Sequence, residues 1–218
     1  MRNTNALIRC LAFACAVLPA TSDSAQEHEQ YIKLEAGPLF GESIQAQATG
    51  ALAGSQKLTM RPGVRFNAEF GYLITDWLHG TFNTGLLMNG VNDGLRGNGA
   101  PYFYRIPFLA GVVVSYPNNS LWTPYAGLSA GASLVILDGK VDVGAVQLLG
   151  RAREIVFTWE FQAGLKYEWT ETMDVTFGYR MIGISGPEFK YNNGPGPTKL
   201  QFEHALSHSF TVGLSWNF

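Results

Sequence analysis

A glycine-spaced serine is the first pattern in this chain that could do chemistry. The stretch Gly127-Leu128-Ser129-Ala130-Gly131 matches G-x-S-x-G, which exposes a nucleophilic serine on a strand-turn-helix elbow, and also G-x-x-x-G, which lets membrane helices pack closely. Neither pattern has its context, because period-two alternation runs through the stretch and predicts a strand. We therefore interpret these small residues as positions that let a strand curve.

A second group of polar residues near the C-terminus has the residue types of a hydrolase site. The candidates are Ser185, Glu203, His204, Ser207 and His208. A serine becomes a nucleophile only when a base lies within hydrogen-bond reach. His208 could be that base for Ser185 from a neighbouring strand, so ester hydrolysis stays an alternative. The plainer interpretation is that the histidines are interfacial polar residues.

Composition excludes several other function classes. No His, Asp and Glu set has metal-ligand spacing and no phosphate-cradling glycine loop precedes a helix, so we expect no metal and no cofactor. The net charge is −2 and no Lys/Arg cluster occurs, so nucleic acid is not an expected partner. Only 15% of the residues are charged, whereas 46% are hydrophobic and 25 are glycine, which is unusual for a soluble globular protein.

The N-terminus has the layout of a secretory signal peptide. Arg2 and Arg9 precede an uncharged apolar run, which is followed by a proline and small residues. We predict a signal peptide over residues 1–22, with cleavage between 22 and 25. Both cysteines, Cys10 and Cys15, lie inside it, so the mature chain should have no disulfide and no thiolate site. A lipoprotein site at Cys15 is disfavoured by the bulky Phe13 before it.

Period-two alternation recurs throughout the rest of the chain. Eight segments of about ten or more residues show it: 31–40, 63–74, 78–88, 102–116, 123–137, 154–169, 174–185 and 208–218. A membrane helix within the uncharged residues 106–137 is disfavoured, because Pro117-Asn118-Asn119-Ser120 divides the stretch and several Pro and Gly residues would weaken a helix.

The two faces of these segments differ in charge. The apolar face carries no Asp, Glu, Lys or Arg, and only His208 near a strand end. The opposite face carries Lys33, Glu35, Arg65, Glu69, Arg105, Glu154, Glu160, Lys166, Glu168, Asp174 and Arg180. A soluble sandwich would turn its apolar face inward, but this apolar face is too aromatic and continuous for that. Lipid outside and polar residues inside fit strands that cross a bilayer.

The connections alternate in length. Segments 41–61, 89–101, 138–153 and 186–201 are long, whereas 75–77, 117–122 and 170–173 are short. Short turns on one side and long loops on the other are typical of outer-membrane barrels with both termini in the periplasm. The aromatic residues expected to form a periplasmic girdle are Tyr31, Tyr72, Trp77, Tyr116, Trp122, Tyr167, Trp169, Trp216 and Phe218. The long loops are expected to be the mobile part.

These patterns predict an all-β fold, an eight-stranded antiparallel transmembrane up-and-down β-barrel, as one domain over residues 28–218. Eight strands enclose a space that side chains just fill. We therefore expect a packed interior charge network and not an open channel, although a narrow pore stays an alternative. The network residues are Glu35, Arg65, Glu69, Arg105, Glu160 and Arg180. Counting from the short turn 170–173 predicts a diagonal Glu160–Arg180 ion pair.

With the strands placed, the chain resembles the small outer-membrane β-barrel family, the OmpA/OmpX-like eight-stranded barrels of Gram-negative bacteria. The stretches TWEFQAGLKYEWTETMDVTFGYRM, TPYAGLSAGAS, GYLITDWLHG and the terminal aromatic strand carry the resemblance. It implies an outer-membrane location among lipid and lipopolysaccharide, and a monomer. It also implies that the barrel-assembly machinery recognises the last strand through Phe210, Val212, Leu214, Trp216 and Phe218.

The resemblance is specific for architecture and weak for activity. Members of the family serve as structural, adhesive or defence proteins, so we expect a non-enzymatic envelope-structural or surface-interaction role through the extracellular loops. Lipid A deacylases, also eight-stranded barrels, carry a His-x-Ser-Asn motif facing the outer leaflet. The nearest equivalent here is Gly183-Ile184-Ser185-Gly186, which lacks the histidine and the asparagine. A lipid A acyl-ester hydrolase therefore stays the enzymatic alternative.

Overall fold

The computed structural model describes residues 30–49, 54–92, 102–116, 118–143, 146–191 and 198–218. The predicted signal peptide and its cleavage positions lie outside these residues. The strands within these ranges are β1 (Gln30–Gly41), β2 (Ile44–Thr49), β3 (Gly54–Met60), β4 (Gly63–Thr75), β5 (Leu78–Asn92), β6 (Tyr102–Ser115), β7 (Trp122–Val143), β8 (Val146–Thr170), β9 (Met173–Ile184), β10 (Glu188–Tyr191), β11 (Thr198–Phe202) and β12 (Ala205–Asn217).

Eight of the strands close into a barrel. In the order β1, β4, β5, β6, β7, β8, β9 and β12, each pairs antiparallel with the next. The ring closes because β1 also pairs with β12, so that Leu34 lies opposite Leu214 on one side and Ala68 on the other. This arrangement confirms the all-β, eight-stranded up-and-down barrel that the sequence predicts.

Side-chain alternation sets the two faces of the barrel wall. Large apolar residues point outward and are well exposed, with Phe66 at 54% and Leu128 at 60% of their accessible surface. Charged residues of the opposite parity point inward and are buried, with Arg65 and Glu160 both at 0%. A soluble barrel would show the reverse pattern, so the wall is built to face an apolar medium.

Three of the segments predicted as long loops contain strands, so the prediction of loops there is wrong. Segment 41–61 contains the hairpin β2–β3, and segment 186–201 contains β10 and most of β11. These four strands form a sheet in the order β10-β11-β2-β3, joined to β5 at Thr59 and Met60, and we call it the cap sheet. Segment 138–153 is also mostly strand, because β7 and β8 stay paired up to Val143 and Val146. Residues 93–101 lie outside the described part.

The hydrophobic core of the barrel lies inside the long-loop end, where the cap sheet covers the lumen. Because side chains alternate along each cap strand, one face of this sheet can be apolar and pack on the barrel. We call the resulting cluster the apolar layer. Its buried residues are Ile44, Ala46, Leu58, Met60, Val91, Phe103, Val135, Leu137, Val156, Ile184, Phe189, Phe202 and Ala205.

Within the described ranges there is no helix long and apolar enough to cross a bilayer.

Candidate functional site

Below the apolar layer, six charged side chains meet in the middle of the lumen. Four strands position them: β1 and β4 on one side, β8 and β9 on the other. The residues are Lys33, Glu35, Arg65, Glu69, Glu160 and Arg180, each at most 4% exposed, and we call them the charge cluster. Three cations and three carboxylates balance, so the cluster is neutral as a unit.

Arg180 is the centre of the charge cluster. Its Nη1 donates to Glu160 Oε1 at 2.5 Å, which confirms the ion pair predicted from the short turn. Its Nη2 reaches Glu69 Oε2 at 3.1 Å, and both its Nε and Nη2 donate to Glu35 Oε2. One guanidinium therefore links carboxylates from three other strands across the lumen, a role that suits the planar donor fork of arginine.

The remaining members complete the cluster around Arg180. Arg65 Nη2 donates to Glu160 Oε2 at 2.5 Å, and Lys33 Nζ lies 2.8 Å from Glu69 Oε1. Glu69 also accepts hydrogen bonds from two neutral side chains. The Tyr31 hydroxyl donates to its Oε1 and the Gln162 amide to its Oε2, both at 2.8 Å. Buried charges persist when they are paired and hydrogen-bonded in this way.

Sequence reasoning missed part of this site. The predicted network does not include Lys33, although its parity predicts the interior face, and Gln162 has no signal in the sequence beyond its inward parity. The prediction that Tyr31 belongs to the periplasmic girdle is wrong, because this residue is 2% exposed and lies inside the lumen. The parity that Tyr31 shares with Lys33 and Glu35 would have identified it.

The predicted network includes Arg105, but the structure places this residue elsewhere in the lumen. It is 1% exposed, and its guanidinium donates to Ser207 Oγ and Asn89 Oδ1, both at 2.9 Å. The guanidinium also lies 5.6 Å from the Phe103 ring centre. No carboxylate pairs with it among the described residues, so Arg105 carries a buried charge at the boundary with the apolar layer.

A cavity of about 280 Å³ lies at the short-turn end of the lumen. Polar and charged residues line it, including His79, Lys166, Glu168, Glu171 and Asp174. The lumen thus has three levels: this polar cavity, the charge cluster and the apolar layer. The last two fill its middle and its long-loop end.

Comparison with known proteins identifies the family of this barrel. The family model described as the outer membrane protein beta-barrel domain matches residues 10–218. The chain belongs to this family. The protein is therefore an outer-membrane barrel, located in the outer membrane, and its short turns correspond to the periplasmic side.

Solved structures of outer-membrane proteins share the fold of this outer-membrane barrel. OprG from Pseudomonas aeruginosa is 15% identical with a TM-score of 0.60, covering 88% of this chain and 96% of that one. AlkL, solved in lipid bilayers, is 16% identical with a TM-score of 0.60, covering 92% and 95%. Neisserial surface protein A is 21% identical with a TM-score of 0.51, covering 87% and 97%. No curated protein matches the sequence.

The hydrolase candidates of this outer-membrane barrel do not come together. His208 lies opposite Met181 on β9, so Ser185 is four residues farther along, about 13 Å away at the rise of a strand. The Ser185 hydroxyl donates instead to the Phe157 carbonyl at 3.2 Å. Ser207 points into the lumen and accepts from Arg105.

The two candidate histidines, His204 and His208, lie outside the lumen. His208 faces outward, where its Nδ1 lies 2.6 Å from the Tyr179 hydroxyl and its Nε2 lies 3.7 Å from Glu42. His204 and its neighbour Glu203 are exposed. No described group of three His, Cys, Asp or Glu is placed to hold a metal. These contacts provide polar surface at the extracellular rim and assemble no serine, base and acid.

The glycine-spaced Ser129 lies in the interior of β7, with neighbours on both sides. Ser129 points inward and is 7% exposed, directly opposite Glu160 of β8. A Cβ added at Gly131 would stand 2.2 Å from the Phe108 carbonyl oxygen, so no larger residue fits there without a shift. The small residues therefore serve close strand approach, and the strand-turn-helix of a nucleophile elbow is not present in β7.

The predicted assembly-signal residues share the outward face of β12. Phe210, Val212 and Phe218 are 59%, 56% and 63% exposed, and Trp216 is 38% exposed. Leu214 has the same parity. Outside β12, four aromatic residues predicted for the periplasmic girdle are also exposed at the periplasmic end: Trp77, Tyr116, Trp122 and Trp169. The recognition of the last strand by the assembly machinery stays a prediction.

Proposed function

We propose that this outer-membrane barrel is a closed, non-enzymatic scaffold that presents its cap sheet at the cell surface for envelope or surface interactions. The observation that carries the proposal is the filled lumen. The charge cluster spans the barrel from β1 and β4 to β8 and β9, and the apolar layer covers it on the extracellular side. An ion crossing here would have to displace paired buried charges and then pass an apolar layer.

The outer face of the cap sheet supports the surface role. Its inner residues pack on the barrel, whereas Gln45, Gln47, Lys57 and Gln201 are exposed on the other face. Gln47 and Gln201 lie directly opposite each other on β2 and β11. Strand pairing fixes the backbone at these positions, which lowers the entropy cost of contacting a partner.

Planar-bilayer recording tests the closed barrel. We expect the purified protein to give no steady single-channel conductance, whereas a stable ohmic conductance would favour the narrow pore. Mass spectrometry of lipid A from cells with and without the protein tests the hydrolase alternative. We expect identical acylation, and loss of an acyl chain only in cells that contain the protein would contradict the proposal.

Complementation tests the surface role. A deletion strain receives either the native protein or the Gln47→Lys/Gln201→Lys variant, and both strains are scored for adhesion and detergent resistance. We expect the variant to reach native outer-membrane levels but to complement poorly, because two cations now face each other on the cap sheet. Asp76→Asn, at an exposed periplasmic turn, is the control and should complement fully. Full complementation by the cap-sheet variant would contradict the surface role.

A further inference from the structure

Two arginines lie on the extracellular rim of the barrel, outside the lumen, without a carboxylate partner among the described residues. Arg61 follows β3 and is exposed, and its backbone N–H donates to the Gly90 carbonyl of β5 at 2.8 Å. Arg153 has the outward parity of β8 and is also exposed. An unpaired, exposed guanidinium beside a lipid-facing wall is a donor fork for an anion.

Two tyrosines stand between these arginines. Gly90 of β5 lies opposite Tyr102 of β6. Tyr104, on the same face of β6, lies opposite Ile136 of β7, which in turn lies opposite Arg153 of β8. The rings of Tyr102 and Tyr104 stack with centroids 6.0 Å apart. The outward surface from β3 to β8 therefore carries an arginine, a tyrosine pair and an arginine in sequence, and we call this the rim patch.

The rim patch lies at the height of the outer-leaflet headgroups. Tyr116 belongs to the exposed aromatic residues at the periplasmic end, and Tyr104 lies twelve residues before it on β6. At about 3.3 Å per residue and a strand tilt of about 40°, that separation is about 30 Å along the membrane normal. The apolar band of such barrels is about 25 Å tall and is flanked by aromatic residues.

Local geometry directs Arg61 toward the tyrosines. A Cβ added at Gly90 would lie 3.4 Å from Arg61 Cδ and 3.6 Å from its Cβ, so the arginine side chain lies over β5 where a larger residue would stand. The nearest carboxylate in register among the described residues is that of Asp138, which lies opposite Tyr102 on β7. The two arginines of the rim patch thus have one described carboxylate at the margin of the patch.

The opposite wall of the barrel has a different character at this height. There His208 contacts Tyr179 and Glu42, and Glu203 is exposed nearby. Among the described residues of the rim, the two arginines without a carboxylate partner therefore lie on one side and these carboxylates on the other. An anionic headgroup meets complementary charge at the rim patch and carboxylates on the other wall.

We propose that the rim patch binds the phosphate groups of outer-leaflet lipopolysaccharide. Arg61 and Arg153 each donate to a phosphate, and the tyrosine pair contacts the sugar between them with ring faces and hydroxyls. Bidentate arginine–phosphate hydrogen bonds supply the affinity at a site that is half in apolar surroundings. The patch would order the lipid around one side of the barrel.

Native mass spectrometry of the folded barrel with lipid A tests the proposal. The probes are phosphorylated lipid A and its enzymatically dephosphorylated form. We expect the Arg61→Gln/Arg153→Gln variant to bind phosphorylated lipid A at least tenfold more weakly than the native protein, with each single variant between the two. The native protein should bind the dephosphorylated form no better than the double variant binds the phosphorylated form.

Lys199→Gln is the matched control, because it removes an exposed cation of the cap sheet that already pairs with Glu188 at 3.0 Å. It should retain native affinity. Heat-modifiable electrophoretic mobility checks that each variant is folded. If a glutamine variant does not fold, the Arg61→Lys/Arg153→Lys variant, which keeps both charges, replaces it. This lysine variant should bind phosphorylated lipid A with an intermediate affinity. Equal affinity of native protein and double variant, or native binding that ignores the phosphates, would overturn the proposal.

Discussion

Glu160 and Arg180 lie one diagonal step apart on neighbouring strands and meet at 2.5 Å inside the barrel. The residue directly opposite Glu160 is Ile182, and the residue directly opposite Arg180 is Gln162. Long side chains span such a diagonal. The pair is not isolated, because Glu160 also binds Arg65 and Arg180 also binds Glu35 and Glu69.

The first prediction is that Glu160 and Arg180 are energetically coupled. Either Glu160→Gln or Arg180→Met leaves the charge cluster with an uncompensated buried charge and should cost about 3–5 kcal/mol of unfolding free energy. Arg180→Met should cost more, because three carboxylates lose a partner. The double variant keeps two cations and two carboxylates, so its loss should be smaller than the sum of the two single losses.

Urea unfolding in lipid vesicles measures this cycle. We expect a coupling energy of at least about 1 kcal/mol. A value within error of zero would mean that lumen water solvates each charge separately. It would also remove the main support for a filled lumen.

The second prediction concerns Phe218. Its ring is 63% exposed, while its backbone exchanges two hydrogen bonds with Gln30, at 2.8 and 2.9 Å. Deleting Phe218 removes these two terminal bonds, worth about 0.5–1.5 kcal/mol each, and the aromatic end of the strand. We therefore expect a large fall in outer-membrane level but only a small loss of stability in refolded protein.

Immunoblots of outer-membrane fractions measure that level. Tyr116→Ala is the control, since it removes an aromatic ring of similar exposure at the same end of the barrel but away from the terminus. It should leave the level unchanged. If intact and Phe218-deleted proteins reach the same level, the terminal residue is not an assembly signal.

The third prediction is that the cost of introducing an arginine on the outward face depends on the depth of the position in the membrane. Ala68 faces outward at the middle of β4, between Leu34 and Thr84, so Ala68→Arg should cost about 2–4 kcal/mol. Val114 faces outward two residues from Tyr116, so Val114→Arg should cost only about 0–1 kcal/mol. Equal losses on urea unfolding in vesicles would show that the wall does not span the bilayer as assigned.

Local alternation was enough to predict the two faces of the wall but not the filling of the lumen. From sequence alone, Asn67→Arg is expected to be milder than Ala68→Arg, because residue 67 faces the interior, unless that interior is tightly filled. The structure removes that contrast: Asn67 is 4% exposed and accepts a hydrogen bond from Arg65 at 2.9 Å. An added arginine there would overpack the lumen.

Contacts between strands that are distant in sequence were not predictable. The Glu160–Arg180 pair follows from counting across one short turn, because a tight turn sets the register of its two strands. The Arg65–Glu160 contact joins β4 and β8 on opposite sides of the lumen, and the Glu35–Arg180 contact joins β1 and β9, which are separated by β12. Which side chains meet there depends on the tilt and stagger of the closed barrel, which no local pattern specifies.

The cap sheet was missed for a related reason. Among the residues whose burial the structure describes, four apolar residues mark the inner face of β2 and β3: Ile44, Ala46, Leu58 and Met60. The rest of segment 41–61 is rich in Gly, Ala, Gln and Ser. Strand propensity depends strongly on what a strand packs against. The barrel end supplies that surface, and it is absent from any reading of the segment by itself.

The last prediction separates Arg105 from the charge cluster. Both Arg105 and Arg180 are almost fully buried, but Arg105 binds only the neutral side chains of Ser207 and Asn89, and its Nε has no partner among the described residues. Arg105→Met removes a charge that no carboxylate balances, and this gain offsets the two acceptors left without a donor. We expect its unfolding free energy to stay within about 1 kcal/mol of the native value, whereas Arg180→Met loses about 3–5 kcal/mol. Parallel urea unfolding of the two variants in the same vesicles makes the comparison. A loss for Arg105→Met as large as that for Arg180→Met would show that an anion or a carboxylate outside the described residues compensates Arg105.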